Sequence, residues 1–130
     1  PLAHRMEAGA NMFLMPSRFE PCGLSQLYSL RYGTVPIVRA TGGLVDTITD
    51  VNEATLANQT ATGFAFDEYH PMALADAIKR ALDLYADQSA WQKLVETGMR
   101  QDWSWGRSAR DYLDVYAGMQ AKARRSLVAR

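Results

Sequence analysis

The chain has 130 residues, 48% of them hydrophobic and 22% charged, a composition that fits one globular domain with a sizeable core and excludes a disordered polypeptide. Fourteen Lys plus Arg balance fourteen Asp plus Glu, so no uniform positive field is available for a nucleic-acid backbone or an anionic membrane surface. The single cysteine, Cys22, excludes an intramolecular disulfide and a cysteine-based zinc module, and no apolar run approaches the roughly 20 residues that span a bilayer. A soluble protein in a reducing, intracellular setting is expected, with neither nucleic acid nor membrane as partner.

Residues 2–8 read as the end of a helix already under way, and the chain opens on Pro1, so it is expected to be a piece of a larger protein. Met12-Phe13-Leu14-Met15, punctuated by Gly9 and Pro16, predicts a short buried strand. A polar loop over 17–22 follows. From Gly23, the residues Leu24, Leu27, Tyr28 and Arg31 recur at helical spacing, and Gly33 is placed to end that helix as a left-handed cap. Residues 35–38 predict a second strand, in which Pro36 demands either an edge position or pairing that begins after the proline. Thr41-Gly42-Gly43 turns into a short helix carrying Leu44, Val45 and Ile48, and 52–62 read as an exposed loop.

Residues 63–66 predict a third strand, and Pro71 suits the first position of a helix whose stripe is Leu74, Ile78, Ala81, Leu82 and Tyr85, with Asp76, Lys79, Arg80 and Asp83 opposite. Ser89 stands at capping-box spacing before a helix through Leu94, Val95 and Met99. Ser104 can cap a last helix lined by Trp105, Ala109, Tyr112, Leu113 and Tyr116, with Arg107/Asp111 and Arg110/Asp114 as surface pairs. The cationic tail, Lys122, Arg124, Arg125 and Arg130, reads as frayed and solvated. Strands that are apolar throughout and alternate with helices predict an α/β fold with a Rossmann-like parallel sheet covered on both faces, its remaining strands upstream of Pro1.

In such a sheet, ligands bind beyond the carboxyl ends of the strands. Two loops occupy that rim, residues 16–26 and residues 41–44. Gly23, Leu24 and Ser25 would present unpaired N–H groups at a helix N-terminus, which attracts phosphate, or Gly23 simply permits a tight turn. Glu20 would repel a diphosphate and is better suited to accepting hydrogen bonds from sugar hydroxyls; the alternative is a surface glutamate. Cys22 has no histidine nearby to make it a nucleophile. His4 and His70 lack a second ligand at metal spacing and read as cap or surface residues, while Trp91, Trp103 and Trp105 read as core packing. Neither a P-loop nor a G-x-G-x-x-G fingerprint is present.

The run Pro16-Ser17-Arg18-Phe19-Glu20-Pro21-Cys22-Gly23-Leu24, with Gln26-Leu27-Tyr28, Arg31-Tyr32-Gly33-Thr34, Thr41-Gly42-Gly43-Leu44-Val45-Asp46-Thr47, Gly63-Phe64 and Trp103-Ser104-Trp105, resembles bacterial glycogen synthase and plastid starch synthase. The resemblance covers nearly the whole chain. It implies the later part of the C-terminal, nucleotide-sugar-binding domain of a GT-B glucosyltransferase, spanning 1–130. The implied reaction transfers glucose from ADP-glucose to the non-reducing 4-hydroxyl of an α-1,4-glucan with retention, without metal or separate cofactor. Glu20 matches the catalytic-site glutamate that contacts the donor sugar. The amides of Cys22 and Gly23 match groups that hold glucose hydroxyls, and Leu24 and Ser25 match positions whose amides face the distal phosphate.

In many retaining GT-B enzymes a second glutamate follows the first by eight positions. Here that place holds Tyr28, which supplies one hydrogen-bonding hydroxyl and no carboxylate. Thr41, Gly42 and Gly43 either approach the ligand or let the helix pack closely on the sheet. The resemblance also implies an acceptor-side N-terminal domain as partner and an Arg/Lys pair offsetting the diphosphate, both preceding Pro1. The isolated piece is therefore expected to be inactive and prone to self-association, and the parent to be cytoplasmic, or plastidial in a plant. Rival readings are a retaining transferase using a UDP- or GDP-sugar and a noncatalytic nucleotide-binding or assembly module.

Overall fold

A computed structural model of the chain describes residues 2–128. Three apolar runs form strands β1 (Met12–Met15), β2 (Val35–Arg39) and β3 (Phe64–Phe66). Between and after them lie helices α1 (Leu2–Gly9), α2 (Ser25–Tyr32), α3 (Gly43–Thr47), α4 (Glu53–Ala57), α5 (Pro71–Tyr85), α6 (Gln88–Met99) and α7 (Trp105–Val128). The strands pair in parallel in the order β1-β2-β3.

Pro36 lies in the central strand. Val35 donates its N–H to Asn11 on the β1 side at 3.1 Å. Successive strand residues turn their N–H groups to opposite neighbours, so the missing N–H of Pro36 faces β3. There the pairing begins only at Ile37 opposite Phe64, after the proline. Gly63 makes room for this arrangement, since a Cβ on it would stand 2.5 Å from the Pro36 carbonyl oxygen.

Each sheet face buries its own cluster, as expected of a parallel sheet covered on both sides. Val35, Ile37, Phe64 and Phe66 pack with Ala77 and Ala81 of α5 and with Trp91 and Leu94 of α6. On the other face Val38 meets Leu30 of α2, Leu44 of α3 and Ile48. Trp91 stacks on Phe64 at 6.5 Å between ring centroids and takes the Tyr85 ring edge-on at 5.0 Å.

Several expectations fail for identifiable reasons. Residues 52–62 are not simply an exposed loop: Asn52 and Thr55 form a reciprocal capping box at 2.9 Å that starts α4, and Ala61 and Thr62 are buried. Arg80 is not on a solvent face, because its guanidinium reaches Asp50 at 2.8 Å and the carbonyls of Val51 and Ala65. Asp50 in turn accepts the Ala65 N–H at 2.7 Å, which ties α5 to the start of β3. Leu82 is exposed, and the α5 stripe centres on Ala77 and Ala81. The α6 cap is Asp87, whose carboxylate accepts from Ser89 and Ala90, rather than Ser89 itself.

In α2 the buried side chains are Gln26, Ser29 and Leu30, whereas Leu24 is 56% and Tyr28 42% exposed. The stripe Leu24, Leu27, Tyr28 and Arg31 lines an open groove of about 480 Å3 whose far wall is Met99 and residues 101–104. Ser104 does stand before α7, meeting it through a carbonyl that accepts from Arg107 and Ser108. The α7 stripe, however, is uncovered among the described residues: Trp105 is 88% exposed, and Tyr112, Leu113 and Tyr116 are exposed with it. Trp103 is also outside the core and lies under the Arg107 guanidinium at 5.2 Å. Arg107 and Arg110 turn back to Asp102 rather than pairing with Asp111 and Asp114. Of the cationic tail, Lys122 lies within α7, while Arg124, Arg125 and Arg130 fall outside the described side chains.

Candidate functional site

The carboxyl ends of β1 and β2 each release a loop that turns straight into a helix, and the two loops touch backbone to backbone. Gly43 donates to the Glu20 carbonyl at 3.1 Å. A Cβ on Gly42 would fall 1.8 Å from the Glu20 oxygen, and one on Gly43 would fall 2.4 Å from the Cys22 oxygen. Gly42 also holds φ +51°, a conformation that side chains rarely tolerate. The glycine pair therefore accommodates the first loop, a third outcome beside ligand approach and helix-on-sheet packing. Thr41 closes the turn by accepting from Leu44 at 3.2 Å.

Gly23 adopts φ +72° and brings the first loop into α2. No side chain caps this helix, since Leu24 occupies the N-cap position. The N–H groups of Gly23, Leu24 and Ser25 find no acceptor among the described residues. An uncapped N-terminus with free donors is an anion-binding arrangement by geometry and by dipole. Glu20 sits half-buried on the same loop, and its carboxylate has neither hydrogen bond nor ion pair among the described residues. The Cys22 thiol is exposed and free. Tyr28 stands further along α2, its ring edge-on to His4 at 5.5 Å, on the groove side of the helix.

Three residues that build this rim escaped the sequence reading. Gln26 is fully buried and donates from Nε2 to the Cys22 oxygen, the Gly23 oxygen and Thr47 Oγ1, each at 3.2 Å. Thr47 in turn donates to the Gly43 oxygen at 2.8 Å. Arg39, at the end of β2, donates to the carbonyls of Arg18 at 2.8 Å and Asp67 at 3.1 Å and lies over the Tyr69 ring. The one available signal was Gln26 three residues after the turn glycine, a spacing from which a side chain reaches back over a helix's first turn.

Away from the rim, His70 caps α5 through Nδ1, which accepts from Met72 at 3.2 Å, as expected of a cap histidine. His4 lies beside Glu7 at 3.7 Å. No group of three His, Cys, Asp or Glu side chains comes together among the described residues. No described helix is long and apolar enough to cross a membrane.

Comparison with known proteins gives this rim a context. Over 116 residues the chain is 65% identical to the glycogen synthase of Thioalkalivibrio sulfidiphilus, covering 89% of this chain and 24% of that protein. It is 60% identical over 115 residues to glycogen synthase 2 of Nitrosococcus oceani, with 88% and 23% covered. The chain thus spans about a quarter of the length of the curated relatives it matches. Among solved structures, the catalytic domain of starch synthase IV from Arabidopsis thaliana bound to ADP and acarbose superposes with a TM-score of 0.80 at 41% identity, over 89% of this chain and 24% of that one. Sucrose-phosphate synthase from Thermosynechococcus elongatus gives 0.62 at 28% identity, over 90% and 27%. Residues 2–97 match the family described as glycosyl transferases group 1. With most of its length inside that match and the same α/β architecture as a starch synthase, the chain belongs to the group 1 glycosyl transferases.

Proposed function

We propose that this chain is the donor-side part of a glycogen or starch synthase, whose full-length form transfers glucose from ADP-glucose to the 4-hydroxyl of an α-1,4-glucan with retention. The observation that carries the proposal is the pairing, on one loop, of three unpartnered helix-end amides with the unpartnered Glu20 carboxylate. Leu24 and Ser25 donate to the distal phosphate of the donor, where the helix dipole favours negative charge. Glu20 and the amides of Cys22 and Gly23 take the glucose hydroxyls, and Tyr28 offers one hydroxyl in place of a second carboxylate.

In the transfer the bond from the anomeric carbon to the phosphate oxygen breaks, a bond to the acceptor oxygen forms on the same face, and the acceptor hydroxyl passes its proton to the departing diphosphate oxygen. Charge builds on the departing diphosphate, and the amides already aimed at it need no rearrangement as that charge grows. In this reading the donor is a substrate, no metal or separate cofactor takes part, and the rest of the polypeptide supplies an acceptor-side domain. The cytoplasm is the proposed location.

The test is a transfer assay on the full-length polypeptide with ADP-, UDP- and GDP-glucose and glycogen, the product read by chain-length analysis. Elongation from ADP-glucose is expected. Elongation only from UDP- or GDP-glucose overturns the donor assignment, and nucleotide binding without transfer from any donor overturns the enzymatic reading.

A further inference from the structure

We infer that Gln26 is the positioning residue of this site, its buried carboxamide aiming the Gly23 and Leu24 amides at the donor; the inference rests on the donor-site reading above. Carboxamides are uncommon in protein interiors, and one without compensating bonds is costly there. Nε2 has two hydrogens and three acceptors, the carbonyls of Cys22 and Gly23 and the Thr47 hydroxyl, each at 3.2 Å. Thr47 sends its own hydrogen to the Gly43 oxygen at 2.8 Å, so toward Gln26 it can only accept. One Nε2 hydrogen therefore serves Thr47 and the other is shared by the two carbonyls. Exchanging Oε1 with Nε2 would set an oxygen against two carbonyl oxygens, so the network itself fixes the orientation.

The consequence follows from the planarity of the peptide unit. In a trans peptide the C=O of one residue and the N–H of the next point in opposite directions. Drawing the Cys22 and Gly23 carbonyls inward to Gln26 turns the Gly23 and Leu24 N–H groups outward. These are two of the amides that have no acceptor among the described residues.

Two further observations agree. Oε1 is buried without a partner among the described residues, a defect that an apolar side chain of the same size would avoid, so the donors of Gln26 and not its bulk account for the residue. A Cβ on Gly23 would lie 2.5 Å from Oε1, so this position needs glycine both for its φ of +72° and to leave the carboxamide in place.

The experiment uses Gln26→Met, which keeps the volume and removes the donors, in the full-length polypeptide. Expected are a fall of about tenfold or more in kcat/KM for ADP-glucose and a matching loss of ADP affinity by calorimetry, with KM for the glucan within about twofold of wild type. Equal ADP affinity and equal kcat/KM in a folded variant overturn the positioning role, as does a lowered Tm with both donor parameters unchanged. If Gln26→Met does not fold, Thr47→Val removes one of the three contacts, and a loss of about two- to fivefold in ADP affinity is expected; unchanged affinity overturns the inference. A wild-type protein that neither binds ADP nor transfers glucose overturns the functional reading and this role with it. A wild type that does both, beside a Gln26→Met protein that does both equally well, overturns this role alone.

Discussion

Glu20 keeps a half-buried carboxylate on the rim with no hydrogen bond or ion pair among the described residues, an arrangement that leaves the group available to a ligand. In the full-length protein, Glu20→Ala is expected to lower the rate of glucosyl transfer at least about tenfold, since a lost charged hydrogen bond costs roughly 1.5 to 3 kcal/mol. Steady-state kinetics beside thermal melting check this, with Tm expected to stay close to wild type. Cys22→Ser is expected to keep substantial activity in the same assay, because the backbone amide makes the proposed contact and the exposed thiol has no histidine within its loop. Gly23 and Glu20 were legible because turn chemistry and charge are local properties. Gln26 and Arg39 were not: Arg39 bonds to Arg18 and Asp67, 21 and 28 residues away, and Gln26 joins its local partners Cys22 and Gly23 to Thr47, 21 residues on.

Among elements, the strands were readable almost to the residue because apolar runs bounded by Gly and Pro leave few alternatives. The burial of α2 was not. Leu24, Leu27 and Tyr28 line a groove, while the core face carries Gln26 and Ser29 beside Leu30, the first two being polar side chains that periodicity assigns to solvent. The start of α6 gives a direct comparison. Asp87→Ala is expected to cost about 1 kcal/mol, the usual effect of losing an N-cap, and Ser89→Ala only a few tenths; urea denaturation of the full-length proteins distinguishes the two.

The turn between α6 and α7 depends on Asp102, whose pKa is held below the ordinary 3.8, first by the Ser104 side chain and then by the Ser104 backbone N–H, with Arg110 and Arg107 adding to it. A depressed carboxylate pKa stabilises the fold above the unfolded value, and that contribution disappears as pH falls through the folded value. Trp103 fluorescence is therefore expected to stay constant at neutral pH and to change in acid with a midpoint below the ordinary carboxylate value, and Asp102→Asn is expected to abolish that step.

At the scale of the molecule, β1 and β3 are both sheet edges among the described residues, Leu14 is 48% exposed, and Trp105, Tyr112, Leu113, Val115, Tyr116 and Met119 of α7 face solvent. Unpaired edges and uncovered apolar stripes favour association. Light scattering on the isolated chain is expected to report a species larger than 14.5 kDa that binds ADP weakly and transfers no glucose; a monodisperse monomer with micromolar ADP affinity overturns this expectation. The parallel order and two-sided cover were legible from the alternation of strands and helices. The idle face of α7 was not, because a stripe at helical spacing does not say what it packs against.

The contact of Gly42 and Gly43 with the backbone of residues 20–22 has a consequence for engineering and for divergence alike. The two rim loops pack as one unit: the first loop moved alone onto a related scaffold would meet a side chain wherever the host lacks either glycine. A transplant of this rim therefore carries residues 16–26 and 41–47 together.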